Sequence, residues 1–329
     1  MPDGTLRAAW PRCVAAVILI AFVSVAPAVT RGGANALRII VGGAPGSSTD
    51  LLVRRVADAI SVTLSRPVIV LNRPGASGMI AMEAVAHAKP DGDTIGLATM
   101  SQLIFNAYLF PDLRYDPVRD FAPITTLVTT PMIITAHPRF EVQSLRAVID
   151  LAKKKPGQIR FATPSSGSPP RVLLATIMAA TGAHFEVIPF KSDPEALTNV
   201  LNGEVPLLIT GIAVAAPHIR TGKLSAIAVA GSTRVPALPH VPMMAESGYP
   251  NIEGDMWLGI VAPAGTPPEY VEQLSSVIGK IITTPDFVAY LEPHGARILL
   301  KSPQQFAELI REGHSHWSPI LRGLQIELR

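Results

Sequence analysis

The fold is decided by a strand, a loop and a helix start that follow one another in Arg38-Ile-Ile-Val-Gly-Gly-Ala-Pro-Gly-Ser-Ser-Thr-Asp50. The apolar run 38–41 predicts a buried strand, and Pro45-Gly46 indicates a turn. Apolar residues at helical spacing from Val53 to Leu64 predict a helix that opens near Ser48. A strand, a loop and a helix in this order form the repeating unit of α/β sheets, which bind ligands at the carboxyl ends of their strands.

The same alternation continues along the chain. Further strands are predicted at 67–71, 94–99, 132–136, 158–163, 185–190, 206–210, 224–230 and 257–262. Helices are predicted after 78 to about 88, and at 171–181, 194–202, 213–221, 267–283 and 303–320. Such alternation is typical of parallel sheets with helices on both faces. Two series of this kind predict an α/β fold of two lobes joined by crossing strands, one lobe comprising 37–137 with 260–329 and the other 138–259.

The first 36 residues have the features of a cleaved signal peptide. Arg7 and Arg12 precede an apolar run at 14–23, and a small-x-small cleavage motif ends at Ala36. We therefore expect cleavage before Leu37 and export to the periplasm. An uncleaved membrane anchor is the alternative, but the apolar run is shorter than a spanning helix requires.

Removal of this segment changes both the cysteine count and the charge. Cys13 is the only cysteine of the 329 residues, so the mature chain would have no disulfide, thiolate metal site or cysteine nucleophile. The segment also holds three basic residues and one acid, which leaves 25 basic and 24 acidic residues. A net charge of about +1, with few stacking aromatics, argues against nucleic-acid binding.

Three loops lie between a predicted strand and the segment after it, where a ligand would bind. Their hydroxyl groups and the unpaired backbone N–H groups of helix starts are suited to an anion. The alternative for the first loop is that Ser48 or Thr49 only caps the helix. The predicted contacts are Gly46, Ser48, Thr49 and Asp50 in the first loop, Ser101 in the second, and Ser166, Gly167 and Ser168 in the third.

The sequence lacks the common motifs for catalysis and metal binding. It contains no Gly-x-Ser-x-Gly, no His-Glu-x-x-His and no Gly-x-Gly-x-x-Gly after a strand. His314 and His316 are two residues apart on a predicted helix, so their side chains diverge. The other histidines are scattered without a pattern of carboxylates. We therefore predict no catalytic residue, no metal and no cofactor.

Several ordered motifs resemble the Bug-type extracytoplasmic solute receptors, the substrate-binding components of tripartite tricarboxylate transporters. The resemblance runs from about Arg38 to the C-terminus. The motifs are Pro45-Gly-Ser-Ser-Thr-Asp50, Asn72-Arg-Pro-Gly-Ala76 with Gly78, Lys89-Pro-Asp-Gly92, Tyr115-Asp-Pro-Val118, Asp120-Phe-Ala-Pro123, Pro217-His-Ile219 with Gly222-Lys-Leu224, Pro239-His-Val-Pro242 and Ala262-Pro-Ala-Gly-Thr-Pro-Pro268.

The resemblance implies a two-lobed periplasmic-binding-protein fold of type II, a flytrap that closes on its ligand about a hinge near 136–139 and 254–262. It implies that the ligand is a small carboxylate, held by the first loop and by a loop of the opposite lobe that maps to 165–168. A membrane transporter would receive the ligand, and the receptor would be a monomer.

The chain departs from the family pattern at several positions. Arg171 stands where a His is common, Thr210 replaces an acid, and Gly43 replaces an aromatic residue. If Thr210 faces the cleft, the loss of that acid should disfavour ligands with an amino group. Arg171 could contact a second carboxylate, or it could be a solvated helix residue.

Two other functions remain open on the sequence. A sensor subunit that reports ligand occupancy to a membrane partner would have the same sequence features. A hydrolase or isomerase on this fold would need a nucleophile or a general base in the cleft, but the serines of the three loops have no evident His–acid partner.

Overall fold

Strands and helices alternate through the described part of the chain. A computed structural model describes residues 36–164, 168–252 and 254–323. The strands are β1 (Leu37–Val41), β2 (Val68–Asn72), β3 (Thr94–Thr99), β4 (Phe121–Ala136), β5 (Arg160–Thr163), β6 (Glu186–Pro189), β7 (Leu207–Gly211), β8 (Ser225–Ala230), β9 (Asp255–Pro263) and β10 (Arg297–Ile298). The helices are α1 (Ser48–Leu64), α2 (Met79–Ala86), α3 (Asn106–Leu109), α4 (Leu145–Lys154), α5 (Pro169–Thr181), α6 (Asp193–Leu201), α7 (Ile212–Arg220), α8 (Pro268–Ile282), α9 (Pro285–Leu291) and α10 (Pro303–Gly323).

The strands form one continuous sheet in the order β2-β1-β3-β9-β4-β7-β5-β6, with β8 and β10 also paired to β4. β1 is parallel to β2 and β3, and β5 is parallel to β6 and β7. β9 is antiparallel to both β3 and β4. Each set of parallel strands therefore directs its carboxyl ends, and the loops that follow them, to one edge.

The first half of the sheet consists of β1, β2, β3, β9, β10 and the start of β4. One face is covered by α1, α8 and α9, and the other by α2, α3 and α10. α1 shows why these residues form an amphipathic helix, because Val53, Val56 and Ile60 recur on one face and are fully buried. Replacing such a residue with alanine costs about 2–5 kcal/mol.

The second half consists of β5–β8 and the end of β4. Helices α4 and α5 cover one face, and α6 and α7 cover the other. Alternate residues of β7 therefore face different helices: Leu207 and Ile209 pack with α4 and α5, whereas Leu208 packs with α6 and α7. This alternation determines which way the last residues of the strand face at the ligand edge.

β4 and β9 join the two halves. β4 pairs with β9 from Phe121 to Pro131 and with β7 and β8 from Met132 onward. β4 is unbroken for 16 residues, so it runs through both halves and changes partners between Pro131 and Met132. The hinge expected near 136–139 and 254–262 stays a prediction. The Met132 N–H donates to the Gly254 carbonyl, which lies one residue before β9, so the two crossing segments are bonded to each other.

The strands and helices predicted from the sequence are present within a few residues at their ends, with one exception: the strand predicted at 132–136 is the end of β4, which begins at Phe121. The sequence did not predict α3, α4, α9 or β10. The signal peptide predicted for residues 1–36 lies outside the described residues, except for Ala36. Within the described ranges, no helix is long and apolar enough to cross a membrane.

Candidate functional site

The loop between β1 and α1 is closed by a helix cap. The N-cap is Ser47, whose hydroxyl accepts the Asp50 N–H at 3.3 Å. The expectation that Ser48 or Thr49 is the cap is therefore wrong; both lie in the first turn. A helix leaves the N–H groups of its first turn without acceptors inside the helix. Ser48 is exposed and Thr49 is half-buried, so this end of α1 has backbone and hydroxyl donors for a ligand.

Asp50 is the anchor of this loop. Its carboxylate accepts the N–H of Gly46 at 2.8 Å, Nε of Arg54 at 2.9 Å and Nδ2 of Asn72 at 2.8 Å. Burial alone would raise the pKa of Asp50, but the hydrogen bonds from Arg54, Gly46 and Asn72, with the charge of Arg54, lower it to about 2. Asp50 is 1 % exposed, so its charge is enclosed by donors of the protein.

Two glycines let this loop fold tightly. Gly46 has a φ of 79°, a backbone conformation that favours glycine, and its N–H is taken by Asp50. A Cβ at Gly43 would lie 2.4 Å from Oγ1 of Thr49 and 2.6 Å from Oγ of Ser47. The aromatic residue that the family resemblance led us to expect at position 43 would displace both hydroxyls. The absence of a side chain at Gly43 therefore leaves space for the hydroxyl groups of Ser47 and Thr49.

The loop after β3 packs against the first loop. Oε1 of Gln102 accepts the N–H of Thr99 at 2.9 Å, and its Nε2 lies 3.4 Å from the Gly78 carbonyl. A Cβ at Gly42 would lie 2.7 Å from that same nitrogen. Ser101, which is buried, precedes Gln102 in a π-helical turn, Ser101–Phe105. Gln102 therefore connects the predicted contact Ser101 to the first loop.

The third loop lies in the second half of the sheet, between β5 and α5. Ser166 and Gly167, two of its predicted contacts, lie outside the described residues. Ser168 is in the N-cap position of α5, yet its hydroxyl makes no side-chain cap bond. Among the described residues, the hydroxyl oxygens of Ser168 and of Thr163, at the end of β5, are buried without a hydrogen-bond partner. Such groups are rare in folded proteins, and a bound ligand or water commonly satisfies them.

Arg171 and Thr210 were the other two predicted contacts in this half. Arg171 is half-buried in the first turn of α5, the helix that follows the third loop. Thr210 is fully buried near the end of β7, and its hydroxyl donates to Oδ1 of Asp193 at 2.6 Å. An acid therefore lies beside Thr210, although it comes from the start of α6 and not from position 210 itself.

The histidines and acids of the described residues do not form a metal site. Across residues 36–164, 168–252 and 254–323, no group of three His, Cys, Asp or Glu side chains could hold a metal ion. His314 packs on Tyr108, whose hydroxyl lies 2.8 Å from its Nδ1. Burial lowers the pKa of His314. His314 thus belongs to the packing of α10.

Sequence reasoning missed Ser47, Gln102 and Asp193. Ser47 was one of three adjacent hydroxyl residues able to cap the helix, so only its backbone conformation could distinguish it. Gln102 stood next to the predicted contact Ser101 but carried no signal of its own. Asp193, just before the helix predicted at 194–202, is a residue type common at ordinary helix starts.

Residues 52–326 match the family described as the tripartite tricarboxylate transporter family receptor. The chain belongs to this family. BugT of Bordetella pertussis is 31 % identical over 297 residues, covering 90 % of this chain and 91 % of BugT.

Three solved structures are similar to the chain. The periplasmic binding protein BugD is 29 % identical with a TM-score of 0.79, over 89 % of this chain and 98 % of BugD. An R. palustris protein solved with adipate is 26 % identical with a TM-score of 0.81, over 88 % and 97 % of the two chains. MatC from Rhodopseudomonas palustris with bound malate is 28 % identical with a TM-score of 0.78, over 87 % and 98 %.

These comparisons confirm the predicted family and fold. The chain has the two-lobed α/β fold of periplasmic binding proteins. The family is one of substrate-binding receptors, which confirms the prediction that the chain is not an enzyme. Its general role is therefore to bind a solute.

Proposed function

We propose that this receptor binds a small organic carboxylate between its lobes, in the periplasm, and delivers it to a tripartite tricarboxylate-type membrane transporter. The observation that carries the proposal is the start of α1, on a loop fixed by Asp50: the first-turn N–H groups of Ser48 and Thr49 have no acceptor inside the helix, and Ser48 is exposed. The structures of relatives with adipate and malate support a carboxylate as the ligand.

One carboxylate of the ligand would be bound at the start of α1. The N–H groups and hydroxyls of Ser48 and Thr49 would donate to it, and the helix dipole would favour its charge. Gly46 and Asp50 would hold the loop rather than contact the ligand, because each is already bonded to the other. The negative charge of Asp50 opposes the ligand little, because Arg54 lies 2.9 Å from it.

The opposite lobe would contribute the third loop. Ser168 and its neighbours Ser166 and Gly167 would donate to the other end of the ligand, and Ser101 would line the cleft from the first lobe. The buried hydroxyl of Ser168, which has no hydrogen-bond partner among the described residues, supports this role. Arg171 would interact with a second carboxylate, if the ligand has one.

The remaining parts of the proposal concern export and partners. The signal peptide predicted for residues 1–36 would bring the receptor to the periplasm, and the receptor would act there as a monomer without nucleic acid. A sensor role, in which the occupied receptor signals to a membrane partner, is the alternative. Carboxylate uptake, measured in cells that lack the receptor but retain the membrane subunits, would distinguish the two roles. Loss of uptake would indicate transport, and unchanged uptake would indicate sensing.

The site is tested by substituting Ser48. Its predecessor Ser47 has φ −67° and ψ 160°, a conformation compatible with a following proline, and proline is tolerated at the first position of a helix. Ser48→Pro would therefore remove one N–H and one hydroxyl while α1 stays intact. Ser48→Ala is the matched control, because it removes only the hydroxyl.

The binding of adipate, malate and succinate to both variants would be measured by titration calorimetry. A hydrogen bond to a charged group contributes about 1.5–3 kcal/mol, so Ser48→Pro should weaken binding at least tenfold, and more than Ser48→Ala does. A Ser48→Pro protein that binds as tightly as the parent would mean that the carboxylate is not held at this helix start.

A further inference from the structure

Asp193 and Thr210 are joined across the ligand edge of the second lobe. Asp193 is the first residue of α6 and follows the end of β6, whereas Thr210 is near the end of β7. β6 and β7 do not pair with each other, because β5 lies between them. The hydrogen bond from the Thr210 hydroxyl to Asp193 therefore spans the carboxyl end of β5.

The strand register shows what lies beneath this bond. Ala162 of β5 is aligned with Leu208 of β7 and with Ile188 of β6. Two residues further along, the same register places Pro164 level with Thr210. Pro164 follows the carboxyl end of β5, so the Asp193 carboxyl lies at the carboxyl edge of the sheet, where α/β sheets bind ligands.

Ala162 and Leu208 both face α6 and α7, and side chains alternate along a strand, so Thr210 faces the same way. Thr210 is therefore on the face of the sheet that α6 covers, and Asp193 is the first residue of α6. The hydrogen bond from Thr210 thus joins the start of α6 to the sheet.

The charge of Asp193 is not balanced by a cation. Across the described ranges, no Lys, Arg or His nitrogen lies within 4.0 Å of its carboxylate oxygens. The nearby Glu195 accepts the Lys191 N–H and so belongs to the cap of α6. Burial raises the pKa of Asp193, as expected for a half-buried acid without a cationic neighbour. Such an acid has a strong tendency to accept a hydrogen bond from a ligand.

We propose that Asp193 is a specificity-determining residue that accepts a hydrogen bond from a hydroxyl or amino group on the ligand's carbon chain. The Thr210 hydroxyl donates to Oδ1 and so orients the carboxylate. Within the described ranges the only other donor to this carboxylate is the backbone N–H of Asp193 itself, so the group can accept a further hydrogen bond from the ligand. The receptor would then favour a hydroxy- or amino-carboxylate over the unsubstituted carboxylate of equal length. This reverses the expectation, drawn from Thr210 alone, that amino ligands are disfavoured, and it rests on the function proposed above.

The test compares three four-carbon dicarboxylates: succinate, malate and aspartate. Their affinities would be measured by calorimetry for the parent, for Asp193→Asn and for Thr210→Val. Glu186→Gln is the control, because Glu186 is an exposed acid on the preceding strand, β6. Thermal unfolding of each variant would establish that it is folded.

We expect the parent to bind malate or aspartate more tightly than succinate. Asp193→Asn should reduce that preference about tenfold or more, with succinate affinity changed less than threefold, because the charge-assisted hydrogen bond is lost. Thr210→Val, which retains the acid but removes the hydroxyl that fixes it, should reduce the preference in the same direction by a smaller factor. Glu186→Gln should leave it unchanged.

Two results would overturn the inference about Asp193. They differ in whether the proposed receptor function fails as well. If the parent binds these carboxylates with equal affinity, or if the preference survives in folded Asp193→Asn and Thr210→Val, Asp193 does not set specificity but the receptor function stands. If neither these compounds nor longer carboxylates bind to the parent, the proposed function fails and the role of Asp193 fails with it.

Discussion

Replacing Asp50 with asparagine should destabilise the protein by removing the charge that organises the first loop. The fall of the Asp50 pKa from 3.8 to about 2 corresponds to about 2 kcal/mol in favour of the folded state. Asparagine would also put an NH₂ group where the carboxylate now meets N–H donors of Gly46, Arg54 and Asn72. One donor would then be buried without an acceptor, at a cost of about 1–3 kcal/mol.

The total loss for Asp50→Asn is therefore about 3–5 kcal/mol, or about 6–10 °C in Tm for a chain of this size. Thermal unfolding at pH 7 would measure it, with Asp58→Asn, an exposed acid on the same helix, as the control. Because folding lowers the pKa of Asp50, its stabilisation is complete above about pH 4 and is lost as the pH falls through 2. The two proteins should therefore converge in stability toward pH 2.

The reasoning about Asp50 would be refuted by a Tm within 2 °C of the parent. It would also be refuted if Asp58→Asn lowered the Tm as much as Asp50→Asn does, because the loss could not then come from the buried network. A difference in stability that stayed constant down to pH 2 would show that the charge of Asp50 is not the cause.

Two further substitutions test the loops around the site. Gly78→Ala should lower the stability by about 2–4 kcal/mol, because φ is +81° and the new Cβ would lie 2.0 Å from Nε2 of Gln102. Gly157→Ala is the control, because Gly157 has φ +70° but no atom within 4 Å of an added Cβ, so the substitution should cost only the backbone strain. If the two variants lose the same Tm, contact with Gln102 is unimportant. Arg171→Ala should weaken dicarboxylate binding about tenfold and leave monocarboxylates unchanged; calorimetry that finds every dicarboxylate bound as in the parent would exclude Arg171 from the site.

The local sequence pattern predicted most of the strands and helices, but it did not predict which strands pair with each other. The run 38–41 and the helical spacing after Ser48 predicted β1 and α1 because each signal lies within one element. The π-helical turn Ser101–Phe105 was not predicted, since its apolar residues have no helical or strand period. β4 pairs with β9 up to Pro131 and with β7 and β8 from Met132 onward. This change could not be predicted, because all three partner strands lie far along the chain from β4.

The same distinction applies to the site. The first loop, 44–50, could be located because a strand, a loop and a helix start are consecutive in sequence, whereas ligand contact by Gly46, Ser48 and Thr49 stays a prediction. The bond between Thr210 and Asp193 could not, because it joins residues 17 apart that meet only when β5 is inserted between β6 and β7. Prediction from Thr210 alone therefore reached the opposite conclusion about amino ligands.

The most direct test of the central claim is thermal unfolding of the chain from Leu37 onward with mono-, di- and tricarboxylates. The protein would first be unfolded and refolded to remove any ligand retained from expression. A carboxylate at about 100 times its Kd should add about 2.7 kcal/mol of stability, which is a rise in Tm of about 5 °C. We expect such a rise with at least one carboxylate, and a much smaller rise in Ser48→Pro. Cooperative unfolding at the same Tm with every carboxylate would contradict the proposal that this receptor binds them.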